Sequence, residues 1–142
     1  MASSEFSAGG VVVNEHGETV VIVPSRRAAD GSRVLALPKG HPDADEAPED
    51  AALREVREEA GVDVEVVGPL GEVRYVYQRN GRRVAKVVAF FLLRYRSGRP
   101  EDHDAEVEMA RWMSLREATT ALTYPGEREM AARALSRIAQ PE

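Results

Sequence analysis

Three glutamates, Glu55, Glu58 and Glu59, stand at i, i+3 and i+4 in Arg54-Glu55-Val56-Arg57-Glu58-Glu59-Ala60. On a helix, at about 100° per residue, Glu58 falls about 60° to one side of Glu55 and Glu59 about 40° to the other. The three carboxylates then share one narrow face. Ala52, Leu53, Val56 and Ala60 gather on another, which can pack against a sheet. Like charges at these spacings repel by a few tenths of a kcal/mol when exposed, and by more when partly buried. Arg54 and Arg57 project to other angles, so they offset only part of the cost. A hard divalent cation seeks carboxylate oxygens and water, and it bridges phosphates. A face of three glutamates meets that need. A solvated acidic helix face has the same local pattern, so the helix by itself does not choose between the two.

The flanking residues choose. Gly40, then Glu46, then Arg54 through Val62 stand at fixed intervals across residues 40–62. This stretch resembles the Nudix box at every fixed position, a far more specific match than a short glycine-rich triplet. The resemblance implies an α/β fold, a mixed β-sheet sandwiched between helices (α/β/α). It also implies a metal-dependent attack of water on a diphosphate linkage. By position it makes Glu55, Glu58 and Glu59 the metal-binding carboxylates and the Gly40 carbonyl a backbone ligand, with Mg²⁺ or Mn²⁺ as cofactor. Arg54 and Glu46 become the residues that orient those carboxylates. The box leaves open which carboxylate is the general base. A further acid often lies shortly before a tryptophan-bearing strand in the family. In Asp104-Ala-Glu106-Val-Glu108-Met-Ala-Arg111-Trp112, Glu106 matches best as a catalytic and metal-binding group, with Asp104 and Glu108 as rivals. Trp112, flanked by Met109, Ala110 and Met113, reads as core.

These groups need a scaffold. Residues 6–14 read as a strand, Asn14 to Gly17 as a turn, and Thr19 to Val23 as a second strand closed by Pro24. Arg33 to Leu37 is a short strand ended by Pro38, and Lys39 to Ala47 an ordered loop. Pro48 to Ala60 is a helix, with proline suited to its first turn and Gly61 to its left-handed cap. Val62 to Val67 is strand-like. Gly71 to Gln78 and Arg83 to Arg96 flank Asn80-Gly81, a strong hairpin signal. After a polar loop over 97–104 come a strand, Glu108 to Met113, and two helices, Leu115 to Leu122 and Pro125 to Ile138. Loosely alternating strands and helices give a mixed sheet covered by helices. No repeat or linker divides residues 1–142, which read as a single domain.

Composition bounds the partners. With 43% hydrophobic and 30% charged residues, the chain is neither disordered nor membrane-embedded. The longest apolar run, Val84 to Leu93, is interrupted by Lys86 and is too short to span a bilayer. Met1-Ala2-Ser3-Ser4 has no charged n-region or apolar core, so no signal peptide is expected. The absence of cysteine excludes disulfides, thiolate metal sites and cysteine nucleophiles, and is compatible with the cytoplasm. A net charge of −5 argues against a nucleic-acid polymer. The expected partner is a small-molecule nucleotide, with no membrane, for a monomer or homodimer.

Lys39 and Lys86 are the only lysines. Lys39, directly before the box, can reach a phosphate chain. His41 can serve as a loop contact or hydrogen-bond a leaving group, and it also reads as an exposed surface residue. Leu37-Pro38-Lys39-Gly40-His41 resembles the branch of the family that cleaves diadenosine polyphosphates and diphosphoinositol polyphosphates. Val73 to Tyr77, Asn80-Gly81, Arg82 to Lys86 and Ala121 to Pro125 resemble that branch as well. Tyr75 and Tyr77 face the same side of a strand, and with Tyr124 they can stack on a base; Lys86 joins this substrate-binding set. Arg26, Arg27, Arg74 and Arg83 are further phosphate-contact candidates. The expected function is hydrolysis of a diadenosine polyphosphate. The alternatives are a Nudix enzyme for oxidised nucleoside triphosphates, nucleotide sugars or diphosphoinositol polyphosphates, and a non-catalytic nucleotide-binding module.

Overall fold

A computed structural model describes residues 3–139. Six strands and three helices follow in the order β1 (Ser3–Val13), β2 (Glu18–Pro24), β3 (Lys39–Gly40), α1 (Pro48–Ala60), β4 (Val62–Arg79), β5 (Arg82–Gly98), β6 (Val107–Ser114), α2 (Leu115–Ala121) and α3 (Pro125–Ile138). A 3₁₀ turn at Pro100–Asp102 precedes β6.

The main sheet has the order β3-β1-β5-β4 and is mixed. β1 runs parallel to β5 from Ser3↔Val84 to Val13↔Arg94, while β3 and β4 pair antiparallel with their neighbours. Parallel pairing buries both faces of β1 and β5, which explains their near-continuous apolar sequences. On one face, Ala51, Ala52, Val56 and Ala60 of α1 pack with Val12, Phe91 and Leu93. On the other, Met130, Ala131 and Ala134 of α3 pack with Val11, Val88 and Phe90. β2 and β6 form a separate antiparallel ribbon whose alternation sends Val20 and Ile22 to the first core and Val21 to the second. The expected α/β/α sandwich is therefore the observed architecture.

Two expectations about strands need correcting. Residues 33–37 do not form a strand; they meet β2 only at an isolated bridge, Ile22↔Ala36. The strand lies two residues later, in what reads as loop, where Lys39 and Gly40 pair with β1. Pro38 explains the offset: it has no N–H to extend a ladder, but its carbonyl accepts from Gly10 N at 3.2 Å. The segments read as separate strands at 62–67 and 71–78 are one strand, β4, with register shifts around Val66/Gly68 and Pro69/Gly71. Its place at the sheet edge tolerates Pro69. Asn80 and Gly81 both have positive φ, 51° and 76°, as a two-residue primed turn requires.

Candidate active site

Helix α1 starts behind Ala47 with Pro48 in its first turn and ends at Gly61, whose φ of 71° closes it in the left-handed conformation. Its apolar face fixes its rotation on the sheet, and that rotation turns Glu55, Glu58 and Glu59 toward the loop before α1 and the turn before β6. Glu59 Oε1 accepts from Lys39 N at 2.8 Å. Gly40 lies flat against Glu55: a Cβ at this position would come within 2.2 Å of the Glu55 carboxyl carbon. Asp104 N donates to Glu58 O at 2.8 Å, which ties the turn before β6 to the end of α1.

Arg54 is the hub of the acidic cluster. It donates to both oxygens of Glu46, at 3.0 and 2.9 Å, and to the His41 carbonyl at 3.0 Å. Its Nη1 reaches Glu55 Oε1 at 2.9 Å and Glu58 Oε2 at 3.3 Å. This fork geometry is one that lysine cannot reproduce. The Arg54 hydrogen bonds hold the Glu46 carboxyl below its ordinary range. The α1 acids behave oppositely. Burial pushes Glu55 up, and the charges of Glu58 and Glu106 add to that against the pull of Arg54. Burial pushes Glu59 up to about 7, helped by Glu55 and Asp104 and opposed by the hydrogen bond and charge of Lys39.

The donor set is oxygen only: carboxylates and the Gly40 backbone. Among the described residues no three acids or histidines converge into a preformed metal cage, since Arg54 Nη1 stands between Glu55 and Glu58 and Glu59 turns to Lys39 N. The chemistry nonetheless suits a hard divalent cation, whose charge offsets the burial and the mutual repulsion that raise Glu55 and Glu59. Of the three candidates for the outlying acid, Glu106 and Asp104 act electrostatically on Glu55 and Glu59 respectively. Asp104 Oδ1 is partly engaged by Glu106 N at 3.1 Å. Glu108 points elsewhere, 3.8 Å from Arg33.

The substrate candidates also come together. Register places Tyr75 opposite Lys86, and Lys86 opposite Glu5, on one face of β4, β5 and β1. The Tyr75 and Tyr77 rings lie 6.2 Å apart. Tyr75, 45% exposed, lies within the fields of Lys39, Glu127, Tyr124 and Glu5. Burial lowers the Lys86 ammonium's proton affinity, against the attraction of Glu5 at 3.8 Å. Lys39 is not free in the cleft: its Nζ donates to Glu127 Oε2 at 2.8 Å. Burial disfavours the Lys39 charge, but Glu127 outweighs it and leaves its proton more firmly held than usual. Arg74 and Arg83 alternate to the opposite face, where Arg74 pairs with Glu72 at 2.7 Å. His41, Arg26 and Arg27 are exposed. Trp112 is half-buried, edge-on to Tyr95 at 5.1 Å.

Sequence reading missed three members of this surface. Glu5 accepts from the Tyr77 hydroxyl and from Arg79 at 2.9 Å. Arg79 lies over the Tyr77 ring, 5.4 Å from its centroid. Glu127 is buried on α3. An acid in the first turn of a helix reads as a dipole partner, and only the fold brings Glu127 to Lys39.

The family model described as NUDIX domain matches residues 4–134. The mutator-type protein MutT4 of Mycobacterium tuberculosis is 37% identical over 131 residues, covering 89% of this chain and 53% of that one. Nudix hydrolase 4 of Arabidopsis thaliana is 38% identical over 106 residues, covering 71% of this chain and 48% of that one. The chain thus spans about half the length of these curated relatives. Among solved structures, a Nudix hydrolase from Nitrosomonas europaea aligns with a TM-score of 0.76 at 19% identity, covering 99% of this chain and 98% of that one. A Caenorhabditis elegans Ap4A hydrolase aligns at 0.66 and 20%, covering 95% and 98%. At these identities the two structures speak for the fold alone.

Proposed function

Because the chain belongs to the Nudix family, we propose that it is a divalent-metal-dependent pyrophosphohydrolase whose substrate is a dinucleoside polyphosphate of the diadenosine type. The observation that carries the reading is the junction of two surfaces. Lys39 joins them: its N–H holds Glu59 of α1, and its side chain turns to Glu127 of α3, on the sheet face that presents Tyr75 and Lys86. Members of the family generally use divalent metal ions. Here Glu55, Glu58, Glu59 and the Gly40 carbonyl, with Glu106, would hold Mg²⁺ or Mn²⁺. Such an ion would neutralise phosphate charge and make the attacking water more acidic. In the hydrolysis, a water oxygen bonds to phosphorus and one anhydride P–O bond breaks.

The chain's own residues supply the positioning. Arg54, gripped by Glu46, orients Glu55 and Glu58. Lys39 offers a tethered positive charge beside the site, which a phosphate remote from the metals can share with Glu127. The tilted tyrosine pair offers a surface to either base without a hydrogen-bond code, and that suits a substrate with a nucleoside at each end. The mutator name of one relative and the Ap4A hydrolase title of one neighbour point to different substrates, so the weight rests on this surface. A panel of dinucleoside polyphosphates, dGTP, 8-oxo-dGTP, ADP-ribose and a diphosphoinositol polyphosphate, with products identified, tests the reading. The dinucleotides are expected to give the highest kcat/KM, and excess chelator to abolish turnover. A higher kcat/KM for ADP-ribose or 8-oxo-dGTP refutes the substrate. Full activity after exhaustive chelation refutes the mechanism, and no turnover of any compound leaves a binding module.

A further inference from the structure

We propose that Glu127 is a positioning residue for the carboxylate face, acting through the Leu37–Gly40 segment without touching metal or substrate; the proposal rests on reading Glu55, Glu58 and Glu59 as the metal-holding groups. Glu127 is 4% exposed, and a carboxylate is almost never buried so fully unless it is paired. Both of its oxygens are used. Oε1 accepts from Leu37 N and Oε2 from Lys39 Nζ, each at 2.8 Å.

The next contacts lead to the site. Lys39 N donates to Glu59 Oε1 at 2.8 Å, and the Gly40 backbone lies against the Glu55 carboxylate. The short segment is therefore gripped by α3 on one side and touches two of the three carboxylates on the other. On its β1 side the segment is held by the two-residue pairing of β3 and by Gly10 N donating to Pro38 O, and Leu37 is buried in the core; from the α3 side the polar grip is Glu127. The grip is charged and buried, so it is directional and sensitive to loss of either partner. Partners that hold a metal ligand in place typically account for about 10–100-fold in metal affinity or activity.

The test uses the full chain without substrate and reads Mn²⁺ binding directly from the free ion's electron paramagnetic resonance signal. Glu127→Gln keeps an acceptor for Leu37 N but loses the charge that holds Lys39. Its Mn²⁺ affinity is expected to fall about 10–100-fold. In turnover, kcat should fall by a similar factor, and by more than the released Lys39 changes KM. Met130→Ala removes buried core from the same helix; it should lower Tm and leave Mn²⁺ affinity intact. Should Glu127→Gln not fold, Lys39→Gln breaks the same ion pair from its other end and must show the same weakened binding. Wild-type Mn²⁺ affinity in Glu127→Gln, or an equal loss in Met130→Ala, overturns the role of Glu127. A wild-type chain that binds Mn²⁺ but turns over none of the panel overturns the hydrolase reading alone, whereas one that binds no Mn²⁺ overturns that reading and this proposal together.

Discussion

Burial, together with the charges of Glu55 and Asp104, raises the Glu59 carboxyl to about 7 from 4.5, and the sign of that shift makes a stability prediction. The folded chain binds this proton more tightly than the unfolded chain does. Its stabilising contribution is therefore present in full below the unfolded value and is lost as pH rises toward 7. A shift of this size corresponds to roughly 3 kcal/mol. In excess chelator the urea midpoint should fall between pH 5 and pH 8, and Glu59→Gln should flatten the fall. An equal fall in the variant would remove Glu59 as its source. The same substitution removes the charge a metal needs, so kcat should drop by orders of magnitude in a folded protein. For the outlying acid, Glu106→Gln is expected to slow turnover more than Asp104→Asn, whose carboxylate is partly spent on Glu106 N. Glu108→Gln should change little, since Glu108 faces Arg33. Equal, minor effects from all three would place the acid elsewhere.

At the scale of elements, two glycines bracket the site and should fail differently when replaced. A Cβ on Gly40 would fall 2.2 Å from the Glu55 carboxyl carbon, the free end of a flexible side chain. The side chain can swing away, so Gly40→Ala should fold while losing metal affinity and kcat. At Gly61 the φ of 71° disfavours a side chain, and a Cβ would meet the Arg99 carbonyl oxygen at 2.3 Å. Backbone cannot swing away, and the left-handed conformation itself costs about 1–2 kcal/mol. Gly61→Ala should therefore lower the unfolding free energy by at least that much, read from the shift of the urea midpoint at unchanged slope. Stability lost in Gly40→Ala with metal affinity kept, or Gly61→Ala as stable as wild type, would contradict this division. Both glycines were visible as members of the 40–62 pattern. The strand at Lys39–Gly40 was not, because Pro38 ends the local strand signal and the pairing that restores it belongs to β1.

For the whole molecule, α1 and α3 pack on opposite faces of one sheet, and the candidate site draws on both sides: carboxylates from α1, Glu127 from α3 and Tyr124 just before it. An ion that binds only the folded chain stabilises all of it by mass action, by about 2.7 kcal/mol at a hundredfold excess over Kd. Mg²⁺ or Mn²⁺ should thus raise Tm by several degrees near pH 8, where Glu59 is ionised, and much less in Glu59→Gln. A rise of the same size in that variant would put the ion elsewhere. No helix among the described residues is long and apolar enough to cross a membrane.

The sequence by itself determined what local rules govern. Helix period and capping placed α1 and put Glu55, Glu58 and Glu59 on one face. Asn80-Gly81 specified the hairpin, and strand alternation put Tyr75 and Tyr77 on the same side. Each of these depends on residues close together in the chain, so spacing alone exposes them. The tertiary structure decided which distant residues meet. The parallel register of β1 on β5 sets Glu5 beside Lys86, and the packing of α3 carries Glu127 to Lys39. It also turned Lys39 from an apparently free cation into half of a buried ion pair. That outcome is set by register and packing between segments far apart in sequence, and no property of Leu37-Pro38-Lys39-Gly40-His41 on its own encodes it.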